Sequence, residues 1–262
     1  MHQTEPLFPS PPIPLKVVDD LGPVGKGASN ARFVYAENGE EYLVKGPSLT
    51  PDHPTVGANE WTAARLAVRL GLPIQDHAIV EMRGDVFFAT RQMPSPTFYP
   101  AIDKTIFERC DNRDRAYDVV VFDAWLINSD RHEENLVARR TARNSDRCQL
   151  MLNDHSHLLV SPGGPRVGSQ LMAHLDGAPG DYVRLPFIRD AITDPTRLQR
   201  ALAAVEGLSE PDIRGIVATT PNELLSEPDR AVYGDFLTAR RSRLGGLFRQ
   251  SAGVFPNLSA AL

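Results

Sequence analysis

The segment MPSPTFYP, residues 93–100, sets three prolines within eight residues, and the period of the apolar pattern changes across it. Proline fixes φ and offers no backbone N–H, so neither a strand ladder nor a helix runs through such a stretch, and the chain on each side must bury its apolar residues separately. Ahead of it, LKVVDD, RFVYAE and EYLVK alternate apolar and polar residues as half-buried strands do, with Asn38-Gly39 between the last two as a hairpin signal. From about Val56 to Leu70, Trp61, Ala64 and Val68 recur at helical spacing, and Gly71 followed by Pro73 ends the helix. IQDHAIVEM and DVFFATRQM read as a further pair of strands turning at Arg83-Gly84. The pattern predicts a small antiparallel sheet with one helix over residues 14–93, preceded by a proline-rich arm, residues 1–13.

Past the prolines the chain turns helical. DRAYDVVVFDAWLIN is a nearly continuous apolar helix with few surface residues, which predicts the core of a second unit, residues 94–250. ENLVAR and CQLMLND read as two short strands joined by the polar RTARNSDR, and helices are expected at residues 183–192, 195–206, 209–218 and 228–249, separated by Pro, Gly and Asp-Pro breaks. Residues 251–262 form a tail, and there is no internal repeat.

Composition narrows the function classes. A chain of 262 residues with 42% apolar residues can bury a sizeable core, and a net charge of −5 without a block of Lys or Arg argues against a nucleic-acid footprint or a polybasic membrane patch. Cys110 and Cys148 have no short metal-ligand spacing and cannot supply the disulfide framework of small secreted domains, so a reducing cytoplasm is expected. The start MHQTEPLFPSPPIPL has no basic segment leading into an apolar one, and no window approaches a membrane span. Neither export nor membrane insertion is expected.

The chemistry concentrates in NSDRHEEN, residues 128–135, and in LNDHSH, residues 152–157. A loop that closes a buried helix and opens into a strand can aim Asp130 and Asn135 into one cleft, Asp130 to take a proton from an attacking hydroxyl and Asn135 to hold a divalent ion. The interval of five is that of kinase catalytic loops, D-x-x-x-x-N. Asp154, behind the next strand, can reach the same ion, and two carboxylates with an amide oxygen suit magnesium. Asp and Asn are equally ordinary turn and cap residues.

Lys45 ends EYLVK on the face of Leu43, opposite Tyr42 and Val44, and a lysine there needs an anionic partner. ATP phosphates supply one, with Glu60 in the following helix orienting the ammonium; the alternative is a lysine snorkelling at a strand end beside a surface glutamate. GPVGKGASN, with Gly22, Gly25 and Gly27, lets backbone amides approach phosphates, and Lys26 and Ser29 can add contacts, although glycine-rich hairpin turns are common. His132, His155 and His157 with Asp130 and Asp154 raise a competing His/carboxylate metallohydrolase, but extended residues 155 and 157 point to opposite faces and no H-E-x-x-H pair occurs. The role read for His132 is to keep the loop in shape through a backbone or carboxylate bond.

In order, YLVK, NEW, a linker, NSDRHEEN and NDHS resemble the HipA-like family of bacterial serine/threonine kinases over roughly residues 14–245, and DRHxxN is similar to the catalytic loop of phosphatidylinositol kinases. The resemblance implies an α+β, two-lobed protein-kinase-like (HipA/phosphatidylinositol-kinase-like) fold in a short form, the kinase domain alone. It implies Lys45 on the ATP phosphates, Asp130 as base, Asn135 and Asp154 as magnesium ligands, and the adenine held near Gln92, Met93 and Pro94. The metal motif reads DHS in place of DFG, and the glycine loop is not typical. ATP-dependent transfer of phosphate to a hydroxyl, of protein Ser/Thr or of an unknown small-molecule or lipid acceptor, is the expected activity; a nucleotide-binding regulator without turnover is the rival from another class. The phosphate acceptor is unnamed by the sequence, as are oligomeric state and any toxin or stress role.

Overall fold

The computed structural model describes residues 11–25, 30–93, 98–142, 145–161, 164–165 and 169–258. Strands β1 (Leu15–Pro23), β2 (Arg32–Ala36) and β3 (Glu41–Lys45) are followed by helix α1 (Val56–Arg69) and strands β4 (His77–Met82) and β5 (Asp85–Arg91). All of the strands expected ahead of the prolines form, yet they do not make an open antiparallel sheet. They close into a barrel in the order β1-β2-β3-β5-β4, sealed by a parallel pairing of Leu15 and Lys16 with Val80 and Glu81. Closure removes both sheet edges and lets Val34, Ala36, Tyr42, Val44, Val80, Met82, Phe87 and Ala89 fill the interior. Strand alternation then decides which side chains leave the barrel: Tyr42 and Val44 point in, and Leu43 and Lys45 point out. The Arg83-Gly84 turn takes left-handed φ at both residues, 57° and 88°, as a two-residue hairpin requires.

Helix α1 forms where expected, but only Trp61 and Ala64 of its three marker residues are buried; Val68 is 49% exposed. The buried stripe instead runs through every residue from Val56 to Ala64 and then Leu66 and Ala67, and Ala63, Ala64, Leu66 and Ala67 join the main apolar core rather than the barrel's. Lying between barrel strands in sequence, α1 packs both against β5 of the barrel and against the C-terminal helical part of the chain.

Beyond the proline segment come β6 (Phe98–Tyr99), α2 (Lys104–Glu108), α3 (Ala116–Trp125), β7 (Leu136–Arg140) and β8 (Cys148–Leu152). Strand β6, which the prolines hid, adds to the β7–β8 hairpin in the order β6-β7-β8. In α3 every residue except Asp118 is buried, and Trp125 donates its indole N–H to the Leu237 carbonyl at 2.9 Å. Burying such side chains contributes about 1.5–3 kcal/mol each.

The remainder is helical: α4 (Ser169–Met172), α5 (Pro186–Asp190), α6 (Pro195–Glu206), α7 (Glu210–Ala218), α8 (Glu227–Arg241) and α9 (Leu244–Gln250). The predicted breaks are caps. Asp194 accepts from the Thr196 and Arg197 amides, Ser209 and Asp212 form a reciprocal capping box, and Ser226 accepts from the Asp229 amide. The expected single helix 228–249 is two, turning at Ser242 and Arg243 so that Leu244, Leu247 and Phe248 reach the core. Cys110 and Cys148, unrelated in sequence, face each other across a bridge with Sγ atoms 3.2 Å apart, both buried as free thiols. No helix among the described residues is long and apolar enough to cross a membrane.

Candidate active site

Lys45 leaves the barrel at the end of β3 and is buried there between two carboxylates. Its Nζ stands 2.7 Å from Glu60 Oε1 of α1 and 2.8 Å from Asp154 Oδ1, just past β8. Burial alone would drive an ammonium toward neutrality; Asp154 and Glu60 outweigh it and hold the Lys45 pKa above its usual value. The same balance, burial against the Lys45 charge and bonds from Ser156, holds the Asp154 carboxyl well below the usual carboxylate range. Lys45 is therefore neither snorkelling nor beside a surface glutamate: its side chain is 6% exposed and that of Glu60 is 3% exposed.

Asp154 itself adopts a left-handed φ of 48°, a conformation Asp tolerates, and gathers Lys45 and both the amide and the hydroxyl of Ser156 on Oδ1. Its Oδ2 takes no hydrogen bond among the described residues. Asn135 donates Nδ2 to the Asp130 carbonyl at 2.6 Å, which leaves its Oδ1 likewise without a donor there. One carboxylate oxygen and one amide oxygen are the hard, neutral-to-anionic donors that magnesium prefers, so these residues fit that ion.

Asp130 sits on a loop that the buried helix α3 releases through Ile127, whose φ of 49° is strained for a β-branched residue and costs about 1–3 kcal/mol. The loop is held by residues that spacing did not single out. Arg131, its side chain 2% exposed, forks onto Asp123 of α3 with two 2.9 Å bonds, and its Nη1 reaches the carbonyls of Asn135 and of Asn153, the latter at 2.9 Å. Asn128 donates to Asp123 at 2.8 Å and accepts from the Asp130 amide at 3.2 Å. One guanidinium thus ties α3, the loop and the end of β8 together. The signal for it was available: an Arg beside the candidate base, eight residues past an Asp in an otherwise apolar helix.

The histidines do not assemble into a hydrolase metal site. His155 is buried, its ring edge-on to Phe122 and its amide donating to Glu60 Oε2 at 2.9 Å. His132 and His157 instead flank Asp130, their Nε2 atoms 3.8 and 3.9 Å from its Oδ2, and His132 Nδ1 accepts from the Glu134 amide at 3.3 Å. Among the described residues no group of three or more His, Cys, Asp or Glu side chains is placed to hold a metal.

A cavity of about 660 Å³ opens between the barrel and the β7–β8 hairpin, lined by Phe33 and Tyr35 of β2, Gln92 and Met93 after β5, Arg139 and Met151. Gly25 takes a left-handed φ of 78° in the β1–β2 connection with open space where a Cβ would stand. Lys26, Gly27, Ser29 and Pro94, also expected at the nucleotide, lie outside the described residues. The segment LMAHLDGAPGDYVR, residues 171–184, is pinned by fully buried Arg240, which donates to the carbonyls of His174, Leu175 and Gly177 at 2.6–2.9 Å. At its end Arg184 donates to the Ser129 carbonyl at 2.7 Å, beside Asp130.

A lysine–glutamate pair bridges a barrel strand to the following helix, an aspartate joins it from behind a hairpin, and the D-x-x-x-x-N loop is tied to the same hairpin end through Arg131. Residues 17–157 match the model of the HipA-like kinase family, and the chain belongs to that family. Among solved structures, a Helicobacter pylori proinflammatory kinase, CtkA, superposes with a TM-score of 0.59 at 18% identity, covering 86% of this chain and 95% of its own. HipA of Shewanella oneidensis MR-1, solved with HipB and its operator DNA, gives 0.52 at 15% identity, covering 93% and 69%. At such identities the likeness is one of fold. No curated protein matches the sequence.

Proposed function

We propose that this protein is an ATP-dependent phosphotransferase that moves the γ-phosphate of ATP to a hydroxyl group, that of a serine or threonine in a protein. The observation that carries this reading is the Lys45 ammonium buried between Glu60 and Asp154, at 2.7 and 2.8 Å. A buried charged cluster of this kind is weak evidence of a stabilising role, since an apolar replacement of equal volume is often as stable or more so. It has value where a polyanion must be oriented.

In this reading residues 14–93 and 94–250 act as two lobes around the cleft. The adenine enters the cavity at Gln92 and Met93, and Gly25, Gly27 and Ser29 are assigned to the phosphates. Lys45 stays protonated and fixes the phosphates, with Glu60 preventing its swing away. Asp130 orients the acceptor hydroxyl and removes its proton, while His132 keeps the loop in shape. Asn135 and Asp154 would hold magnesium, which supplies positive charge against the phosphate oxygens. The acceptor approaches along the 171–184 segment, whose Arg184 touches the loop beside Asp130. A cytoplasmic location belongs to this reading.

Incubation with γ-labelled ATP and magnesium tests the proposal. Label should pass to the protein itself or to a protein acceptor from a lysate, and Asp130→Ala should lower transfer by about 10²–10⁴ while nucleotide affinity changes little. Binding without transfer by the wild-type chain would assign a regulatory nucleotide-binding role instead. Failure of calorimetry to detect ATP with magnesium would remove both.

A further inference from the structure

We infer that Asn59 is a positioning residue, acting together with Tyr233, which assembles the Lys45–Glu60–Asp154 cluster by folding alone. The inference deepens the phosphotransfer reading and rests on it for its consequence. It begins from an amide that is 0% exposed and has both its Nδ2 hydrogens and its Oδ1 engaged in hydrogen bonds. Asn59 Nδ2 donates to the carbonyls of Ser156 at 2.9 Å and Leu158 at 2.7 Å, and its Oδ1 accepts from the Tyr233 hydroxyl of α8 at 2.7 Å. Only an amide satisfies that set, since a carboxylate would face two carbonyl oxygens and an aliphatic side chain would orphan all three groups.

The neighbouring residue shows what this is for. Glu60 accepts Lys45 on one oxygen and the His155 amide on the other. Adjacent side chains of α1 therefore dock the backbone of residues 155, 156 and 158, and Asp154 is the residue just before that docked stretch. The distance from Glu60 to Asp154, which Lys45 must span, is set on one side by α1 and on the other by the bonds Asn59 makes.

Helix α1 is in turn fixed to the helical body. Trp61 donates to Thr219 Oγ1 at 3.0 Å, and Thr62 and Thr220 hydroxyls stand 3.4 Å apart. A Cβ on Gly57 would come within 3.0 Å of Leu224 and 3.2 Å of the Lys45 carbonyl, so glycine is what allows this approach. A helix gripped at residues 57, 59, 61 and 62 has no free hinge at its N-terminal end. The arrangement predicts a site formed without phosphorylation of the enzyme or a partner that pushes α1 inward.

Two variants test this, with residue-resolved amide hydrogen exchange read beside kinetics. Tyr233→Phe keeps the buried ring and removes only the hydroxyl that orients Asn59; Asn59→Ala removes the amide. In the full chain, Asn59→Ala should accelerate exchange of the His155 amide at least tenfold and lower kcat by about tenfold to hundredfold, with KM for the acceptor unchanged. Tyr233→Phe should do the same more weakly, and Asn59→Asp should not rescue. A general loss of stability would move all core amides together; the expected signature is confined to residues 155–158. If His155 exchanges at the wild-type rate in both variants, the inference is wrong whatever the enzyme does with ATP. If exchange shifts as expected but wild-type protein transfers no phosphate, the positioning role stands and the phosphotransfer reading fails.

Discussion

Arg131 and Asp123 meet as a two-pronged ion pair, Nε to Oδ2 and Nη2 to Oδ1 at 2.9 Å each, inside the body of the protein. Because both side chains are almost wholly buried, removing one partner leaves an uncompensated charge. Arg131→Ala should cost about 3–5 kcal/mol in urea unfolding, and Arg131→Lys should recover only part of it, since an ammonium cannot bond both oxygens and two carbonyls in one plane. Full recovery by lysine would show that charge, not the fork, holds the loop.

The Lys45–Asp154 pair fixes a pH dependence. The Asp154 pKa is lowered in the folded state, so the pair stabilises above the unfolded carboxyl value of about 4 and that contribution is lost as pH falls through the folded value. Lys45 is raised, so its contribution is whole below about 10.4 and is lost only as pH rises through its folded value. Between those limits the pair's contribution should be flat. Unfolding free energy measured from pH 7 down to 2.5 should fall less steeply in Asp154→Asn than in wild type, and the two curves should run parallel from pH 5 to 9.

Met151 lines the 660 Å³ cavity together with Phe33 and Met93. Met151→Trp should fill the space proposed for the adenine without changing Lys45, Asp130 or Asp154. Calorimetry should show ATP affinity reduced at least tenfold, with a melting temperature within about 3 °C of wild type for a surface-lining change of this kind. Unchanged affinity would place the nucleotide elsewhere.

The Cys110 thiol is pushed well above its ordinary pKa, first by burial and then by its hydrogen bond with Cys148. As the thiolate is the reactive form, Cys110 should resist iodoacetamide in the native protein, buried Cys148 should be shielded from it, and both should react within minutes once urea unfolds the chain. Rapid native labelling, followed by mass spectrometry, would show that the segment before α3 opens readily.

Much of the candidate site was legible because it is local. Lys45 on an outward strand position, Glu60 in the next helix, and Asp130 with Asn135 around a tight loop follow from strand alternation, helix signals and a fixed interval, and the structure brings Lys45 and Glu60 to 2.7 Å. The Asp-Pro break ahead of the helix at 195–206 was readable for the same reason, and in the structure Asp194 caps that helix. Barrel closure was not: the pairing of β1 with β4 joins residues far apart, and a two-residue parallel contact leaves no period in either strand.

Residue types and their short-range order thus determined which segments become strands and helices and which side chains could do chemistry. Tertiary structure alone decided that Lys45 is shared by Glu60 and Asp154, that Arg131 and Asn59 spend their polar groups holding the chain in place, and that two distant cysteines touch. The physical reason is that a buried polar group must be satisfied by whatever backbone or side chain the packing brings to it. Sequence spacing encodes neighbours along one element, whereas such partners come from elements that meet only after the core has formed.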